Sequence, residues 1–107
     1  MNRGQLLIAV LSGDLGKPRP AVLVQGGALF EAESLLICPM TSDVGTASRF
    51  RPLIEPTAQN GLREPSVIMT DKVTAVPRRR CRERIGELTP EQIADLDTAL
   101  MFVLGLD

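Results

Sequence analysis

Leu88-Thr89-Pro90-Glu91-Gln92-Ile93-Ala94-Asp95-Leu96-Asp97-Thr98-Ala99-Leu100-Met101-Phe102-Val103-Leu104-Gly105 carries the strongest local signal in the chain. Thr89 is a good N-cap and Pro90 suits the first helical position. Gln92 follows the cap by three residues, where its side chain can reach back to the cap backbone. Leu88 and Ile93 have the spacing of a hydrophobic staple. Ile93, Leu96, Leu100, Val103 and Leu104 mark one apolar face, and Gly105 supplies a stop. Asp95 and Asp97 lie off that face, near the helix start where negative charge is favoured. The chain therefore closes on one amphipathic helix, and the sequence before it is short-stranded. The expectation is an α+β, mainly β domain: a small barrel or sheet with one packed helix.

Upstream, residues 5–11 form a nearly continuous apolar run ended by Ser12-Gly13-Asp14, which reads as a buried strand and a turn. Residues 13–20 hold Gly13, Gly16, Pro18 and Pro20 and are expected to form a loop, since two close prolines interrupt a ladder or a helix. Residues 21–25 and 35–40 are aliphatic or β-branched strand candidates on either side of Gly26-Gly27. Residues 49–55 continue the strand character but contain Pro52, which places them at a sheet edge or bulge. Residues 56–65 are a long connection carrying the turn signal Asn60-Gly61. Residues 66–70 and 84–88 complete the strands.

The 107 residues fit one domain, and 44% apolar with 23% charged residues supports a packed core. Formal charge is −1 and names no partner. The absence of histidine removes Ser-His-Asp, Cys-His and paired-histidine chemistry and every His-ligated metal site. Cys38 and Cys81 have no metal-ligand spacing and read as reduced thiols of a cytoplasmic protein. No apolar run approaches the roughly 18 residues of a membrane span, and the start shows no signal-peptide pattern.

Lys17-Pro18-Arg19-Pro20 is the most informative polar segment. Lys17 is followed by proline rather than Ser or Thr, so a nucleotide-triphosphate loop is rejected. Pro20 holds Arg19 in extended geometry with a defined exit direction, suited to a bidentate grip on phosphate. A solvated arginine in a rigid turn is the alternative.

Several strings occur in order: Arg3-Gly4, Pro18-Arg19-Pro20-Ala21-Val22-Leu23-Val24-Gln25, Cys38-Pro39-Met40-Thr41-Ser42, Gly61-Leu62 and Ser66-Val67-Ile68-Met69-Thr70-Asp71-Lys72. Ile85-Gly86-Glu87-Leu88-Thr89-Pro90-Glu91 and Leu104-Gly105-Leu106 follow. Over essentially the whole length, the chain resembles the MazF/PemK family of bacterial toxin ribonucleases. The resemblance implies an SH3-like β-barrel with a C-terminal helix, a homodimer, a cognate antitoxin, and metal-independent cleavage of single-stranded RNA without a cofactor. DNA would be met only through the antitoxin complex, and no membrane is involved. The implied chemistry is attack of the ribose 2′-hydroxyl on the adjacent phosphate, giving a cyclic phosphate and a 5′-hydroxyl.

Carried over by position, the resemblance makes Arg19 the phosphate clamp and candidate proton donor. Thr41 becomes a hydrogen-bond donor to the scissile phosphate, and Asp71 the acidic position that some members use as base. Thr41-Ser42 also reads as an ordinary strand-terminating turn, and Asp71 as a turn-forming Asp. Lys17, Arg19, Ser42, Arg49, Arg51 and Lys72 are the implied RNA contacts. The chain departs from the pattern at Met69, where some members carry arginine, and in a first loop that is short and lacks histidine.

Residues 78–84 place five arginines in seven positions ahead of a purely acidic segment. They read either as an RNA- or antitoxin-contacting surface or as a solvated face neutralised by acidic groups. With three Phe and no Tyr or Trp, aromatic stacking is not a main binding device. Met69-Thr70-Asp71-Lys72…Val76-Pro77 and Leu100-Met101-Phe102…Gly105-Leu106 also resemble CcdB, a gyrase poison without catalysis. In CcdB a tryptophan stands where this chain has Leu104. An inactive dimer kept for binding antitoxin is a third reading. Met101 and Phe102 lie off the helix stripe, so Phe102 is expected to be exposed or to meet a further surface, for which a second subunit is the economical answer.

Overall fold

The computed structural model describes residues 2–11, 13, 17–29 and 31–107. Ser12, Asp14, Leu15 and Gly16, read above as parts of a turn and loop, lie outside the described residues. The strands are β1 (Gln5–Val10), β2 (Pro18–Leu23), β3 (Ser34–Thr41), β4 (Leu53–Ile54), β5 (Ser66–Ile68), β6 (Thr74–Pro77) and β7 (Cys81–Glu87), followed by helix α1 (Pro90–Leu104). They build one curled antiparallel sheet in the order β4-β5-β3-β2-β1-β7, with β6 pairing to β3 beside that path. Residues 49–55 contribute only the two residues of β4, at the sheet edge, as Pro52 predicts.

β3 is the hub. On one edge it pairs with β2 through Ala21↔Pro39, Val22↔Cys38 and Leu23↔Ile37. Its other edge is divided, with β6 along Ser34–Ile37 and β5 at Met40 and Thr41. β6 was not anticipated. Four residues flanked by Lys72 and three arginines show no alternation to read, and Val76 alone is buried there.

Strand alternation sorts the core into two layers. Leu6, Val22, Cys38 and Met40 face Leu96 and Leu100 of the helix. Leu7, Ala9, Ala21, Leu23, Leu35, Ile37 and Val76 pack on each other inside the curl. Both faces of β1–β3 are thus covered, which explains their continuous apolar runs.

The two prolines stand in a strand where a loop was expected. Pro18 and Pro20 lie within β2, opposite Val10 and Ile8 of β1, and not in a loop. β3 pairs with β2 only from Ala21 onward, so the β3-facing edge of Pro18–Pro20 carries no ladder. A proline lacking its N–H is tolerated at such an edge.

α1 has the expected limits. Thr89 accepts from the Gln92 amide, the Gln92 side chain accepts from the Thr89 amide, and Gly105 closes the helix in the left-handed region at φ 72°. The buried stripe is narrower than the sequence suggested: Leu96, Ala99 and Leu100 are buried, whereas Leu104 is 57% exposed. Burial of Leu96 and Leu100 contributes about 1.5–3 kcal/mol each. Phe102 does meet another surface, but within its own chain. Its ring stacks on Phe50 at 5.7 Å, and the Arg49 guanidinium sits 4.4 Å above it.

The connection at 55–62 is tied together by Asn60, only 1% exposed. Its side-chain oxygen accepts from the Thr57 and Leu62 amides at 3.0 and 2.9 Å, and its amide donates to the Glu55 carbonyl at 2.8 Å. Gly61, at φ 71°, lies so close to β7 that a Cβ would strike the Ile85 carbonyl. No helix among the described residues is long and apolar enough to cross a membrane.

Candidate active site

Beyond Ala21 and Pro39 the β2 and β3 strands part, and β3 turns to β5. Continuing the register across the gap sets Pro20 against Met40 and Arg19 against Thr41. The parting opens a cleft on each face of the sheet. Odd-numbered positions face a cleft of about 500 Å³ lined by Arg19, Pro39, Thr41, Lys72, Thr74 and Arg80 among others. Even-numbered positions face a second, of about 590 Å³, with an apolar floor including Pro20, Met40, Leu62 and Ile85. Lys17 and Ser42 stand on the second cleft, and Arg19 lines both.

Arg19 is held as an extended-strand residue opposite Ala9. Its half-buried side chain therefore leaves a rigid sheet rather than a loop. Thr41 ends β3, and its hydroxyl oxygen accepts the Asp43 amide at 3.1 Å. That bond occupies a lone pair and leaves the O–H to donate toward a ligand. Lys72 reaches the first cleft from the helical turn Thr70–Lys72, the segment that follows β5.

Asp71 sits in the same turn but lines neither cleft. Its carboxylate accepts from Arg51 Nε at 2.8 Å and from a second guanidinium nitrogen at 2.9 Å. The hydrogen-bonded Arg51 guanidinium holds the Asp71 carboxyl below the usual carboxylate range. The buried Thr70 hydroxyl donates to the Phe50 carbonyl, and the Met69 amide donates to Pro39 at 2.9 Å. The turn is thereby clamped between β3 and segment 49–52. Of the expected site residues, Arg19, Thr41 and Lys72 share one cleft, and Lys17, Ser42 and Arg19 the other. Arg49 and Arg51 are engaged with Phe102 and Asp71. Arg80 was not singled out; inside a run of arginines its particular direction has no sequence signature.

The thiols take no part in this arrangement. Burial pushes Cys38 up to about 12 and raises Cys81 as well, so neither is a reactive thiolate at neutral pH.

Residues 2–104 match the family model described as PemK-like, MazF-like toxin of type II toxin-antitoxin system. A probable endoribonuclease MazF from Mycolicibacterium smegmatis is 36% identical, over 99% of this chain and 98% of that one. Among solved structures, the Mycobacterium tuberculosis toxin MazF-mt6 superposes with a TM-score of 0.83 at 25% identity, covering 96% of this chain and 98% of that chain. An endoribonuclease in complex with its cognate antitoxin, from a mycobacterial species, superposes with a TM-score of 0.84 at 20% identity, covering 100% and 97%. The latter likeness is one of fold.

Proposed function

The chain belongs to the PemK-like, MazF-like toxins of type II toxin–antitoxin systems, and from that premise we propose that it is an endoribonuclease cutting single-stranded RNA by internal 2′-hydroxyl attack. Membership in this family sets aside the CcdB-like gyrase-poison alternative.

In the reaction the ribose 2′-oxygen bonds to phosphorus and loses its proton, while the bond to the 5′-oxygen breaks and that oxygen gains one. The products are a 2′,3′-cyclic phosphate and a 5′-hydroxyl. The observation that carries the reading is that Arg19 and Thr41 line one cleft, opened where the β2–β3 ladder parts. Arg19 is assigned to the non-bridging oxygens, where a planar guanidinium forms two parallel charge-assisted bonds, and serves as candidate donor to the leaving oxygen. Thr41 donates its hydroxyl proton to the same phosphate. Lys72 adds positive charge to that cleft, and Lys17 and Ser42 contact RNA in the other. Arg49 and Arg51 reach RNA only by leaving Phe102 and Asp71. Likewise, Asp71 acts as base only once released from Arg51. The working form is a cytoplasmic homodimer, neutralised by a cognate antitoxin and meeting DNA only through that complex.

The test uses antitoxin-free protein, a long single-stranded RNA and excess chelator, with fragment ends sequenced and their chemistry determined. Cleavage at short motifs leaving cyclic-phosphate and 5′-hydroxyl ends is expected, with double-stranded RNA resistant. Intact RNA after prolonged incubation, or 5′-phosphate ends, overturns the mechanism.

A further inference from the structure

Arg78, Arg79 and Arg80 form a single 3₁₀ turn between β6 and β7. With three residues per turn, successive side chains leave about a third of a circle apart, so three consecutive residues cannot present one face. The run of arginines is therefore three separate groups. Arg78 turns toward the 31–34 segment, where its Nε and a terminal nitrogen donate to the Ala32 carbonyl at 3.1 and 2.9 Å. Arg79 is exposed and borders a depression that also holds Glu31 and Glu33. Arg80, half-buried, lines the cleft of Arg19, Thr41 and Lys72.

That cleft is bounded by three cations, Arg19, Lys72 and Arg80, reaching it from β2, the turn after β5 and the turn after β6. The Arg19–Thr41 pair accounts for one phosphate. A further cation supplied to the same cleft by a different element suits the next phosphate of a continuing strand. We propose that Arg80 binds a phosphate neighbouring the scissile one, a positioning contact that is blind to base identity, whereas Arg78 and Arg79 do not touch the substrate. This rests on the ribonuclease reading above.

The test first maps a cleaved site with the native protein. An RNA of that sequence is then made with a 2′-deoxy nucleotide at the cut, so that it binds without reacting. Its affinity is measured by fluorescence anisotropy across a series of KCl concentrations. Arg80→Ala should bind roughly ten-fold more weakly, the scale of losing a hydrogen bond to a charged group. Its salt slope should fall by about 0.7, one phosphate contact on a single strand. The motif it cuts should stay the same, because phosphate contacts carry no base information. Arg80→Lys should keep the native slope, and Arg79→Ala should stay within about two-fold of native affinity. If Arg80→Ala fails to fold, Arg80→Gln against Arg80→Lys gives the same comparison. An unchanged slope in the neutral variant, or an equal loss in Arg79→Ala, overturns the assignment while native cleavage keeps the ribonuclease reading. A native protein that cuts no RNA removes both.

Discussion

Replacing Asn60 with alanine should be among the most damaging single changes outside the β-sheet. The side chain, 1% exposed, serves the Thr57 amide, the Leu62 amide and the Glu55 carbonyl at once. Truncation leaves all three backbone groups without that partner; the Leu62 bond is buried and the other two partly so, and a buried group so orphaned costs about 1–3 kcal/mol. Water entering the space vacated by the amide offsets part of this, so about 3–5 kcal/mol is the expected loss. For a domain of this size each kcal/mol lowers the melting temperature by about 4 °C or more, giving a drop of at least about 12 °C. Asn60→Asp keeps the shape and both accepted bonds but sets a carboxylate oxygen against the Glu55 carbonyl. A buried carboxyl has a raised folded-state pKa, so its neutral form persists at low pH and can donate as the amide did. The deficit of this variant should therefore be small below the unfolded carboxyl pKa, and should grow as pH rises through the higher folded value. Thermal melts followed by circular dichroism at acid and neutral pH measure both effects. A melting temperature for Asn60→Ala within about 4 °C of native refutes the hub role, since that is the cost of roughly 1 kcal/mol.

Arg19→Ala should lower cleavage by roughly 10²–10³ with little change in melting, and Arg19→Lys should recover part of the rate, because an ammonium lacks the planar fork; single-turnover kinetics on one mapped site decide it. Asp71→Asn should cost less than about 1 kcal/mol at pH 7, and less again in high salt, because the Arg51 pair is partly exposed. Since the folded Asp71 pKa is lowered, this stabilisation is complete above the unfolded value of about 4 and lost as pH falls through the folded one. The gap between native and variant melting temperatures should accordingly close in acid. Light scattering at micromolar concentration should report about twice the 11.6 kDa chain mass; a concentration-independent monomer that still cuts RNA removes the homodimer.

The helix limits were legible to the residue because their signals are local, with cap, box and stop all inside the segment they describe; the buried stripe, which leaves out Leu104 and takes in Ala99, is set by the sheet it packs on. β2 was not, because two prolines become admissible only when a third strand, some twenty residues away, turns aside at that point. The same tertiary event sets Arg19 across from Thr41. Nothing in the spacing of those two residues announces it, and the family resemblance pointed to them without showing why they share a cleft. Asn60-Gly61 carries a turn signal that was correct as far as it went. That the asparagine is sealed beneath β7 depends on Gly61 and on a strand beginning twenty residues later. Phe102, expected to be either exposed or covered by a further surface, is 37% exposed and stacks on Phe50. Phe50 is too distant in sequence to have been identified as that neighbour.

Arg19 and Thr41 owe their places on one cleft to two strands of the sheet, β2 and β3, and not to a loop. The connection between β1 and β2 can therefore change in length and composition without moving either residue, provided Pro18 resumes its place across from Val10. Exchanging the residues between Val10 and Lys17 should therefore leave both strand residues in place while altering the lining of their cleft, to which Leu11 and Gly13 also belong.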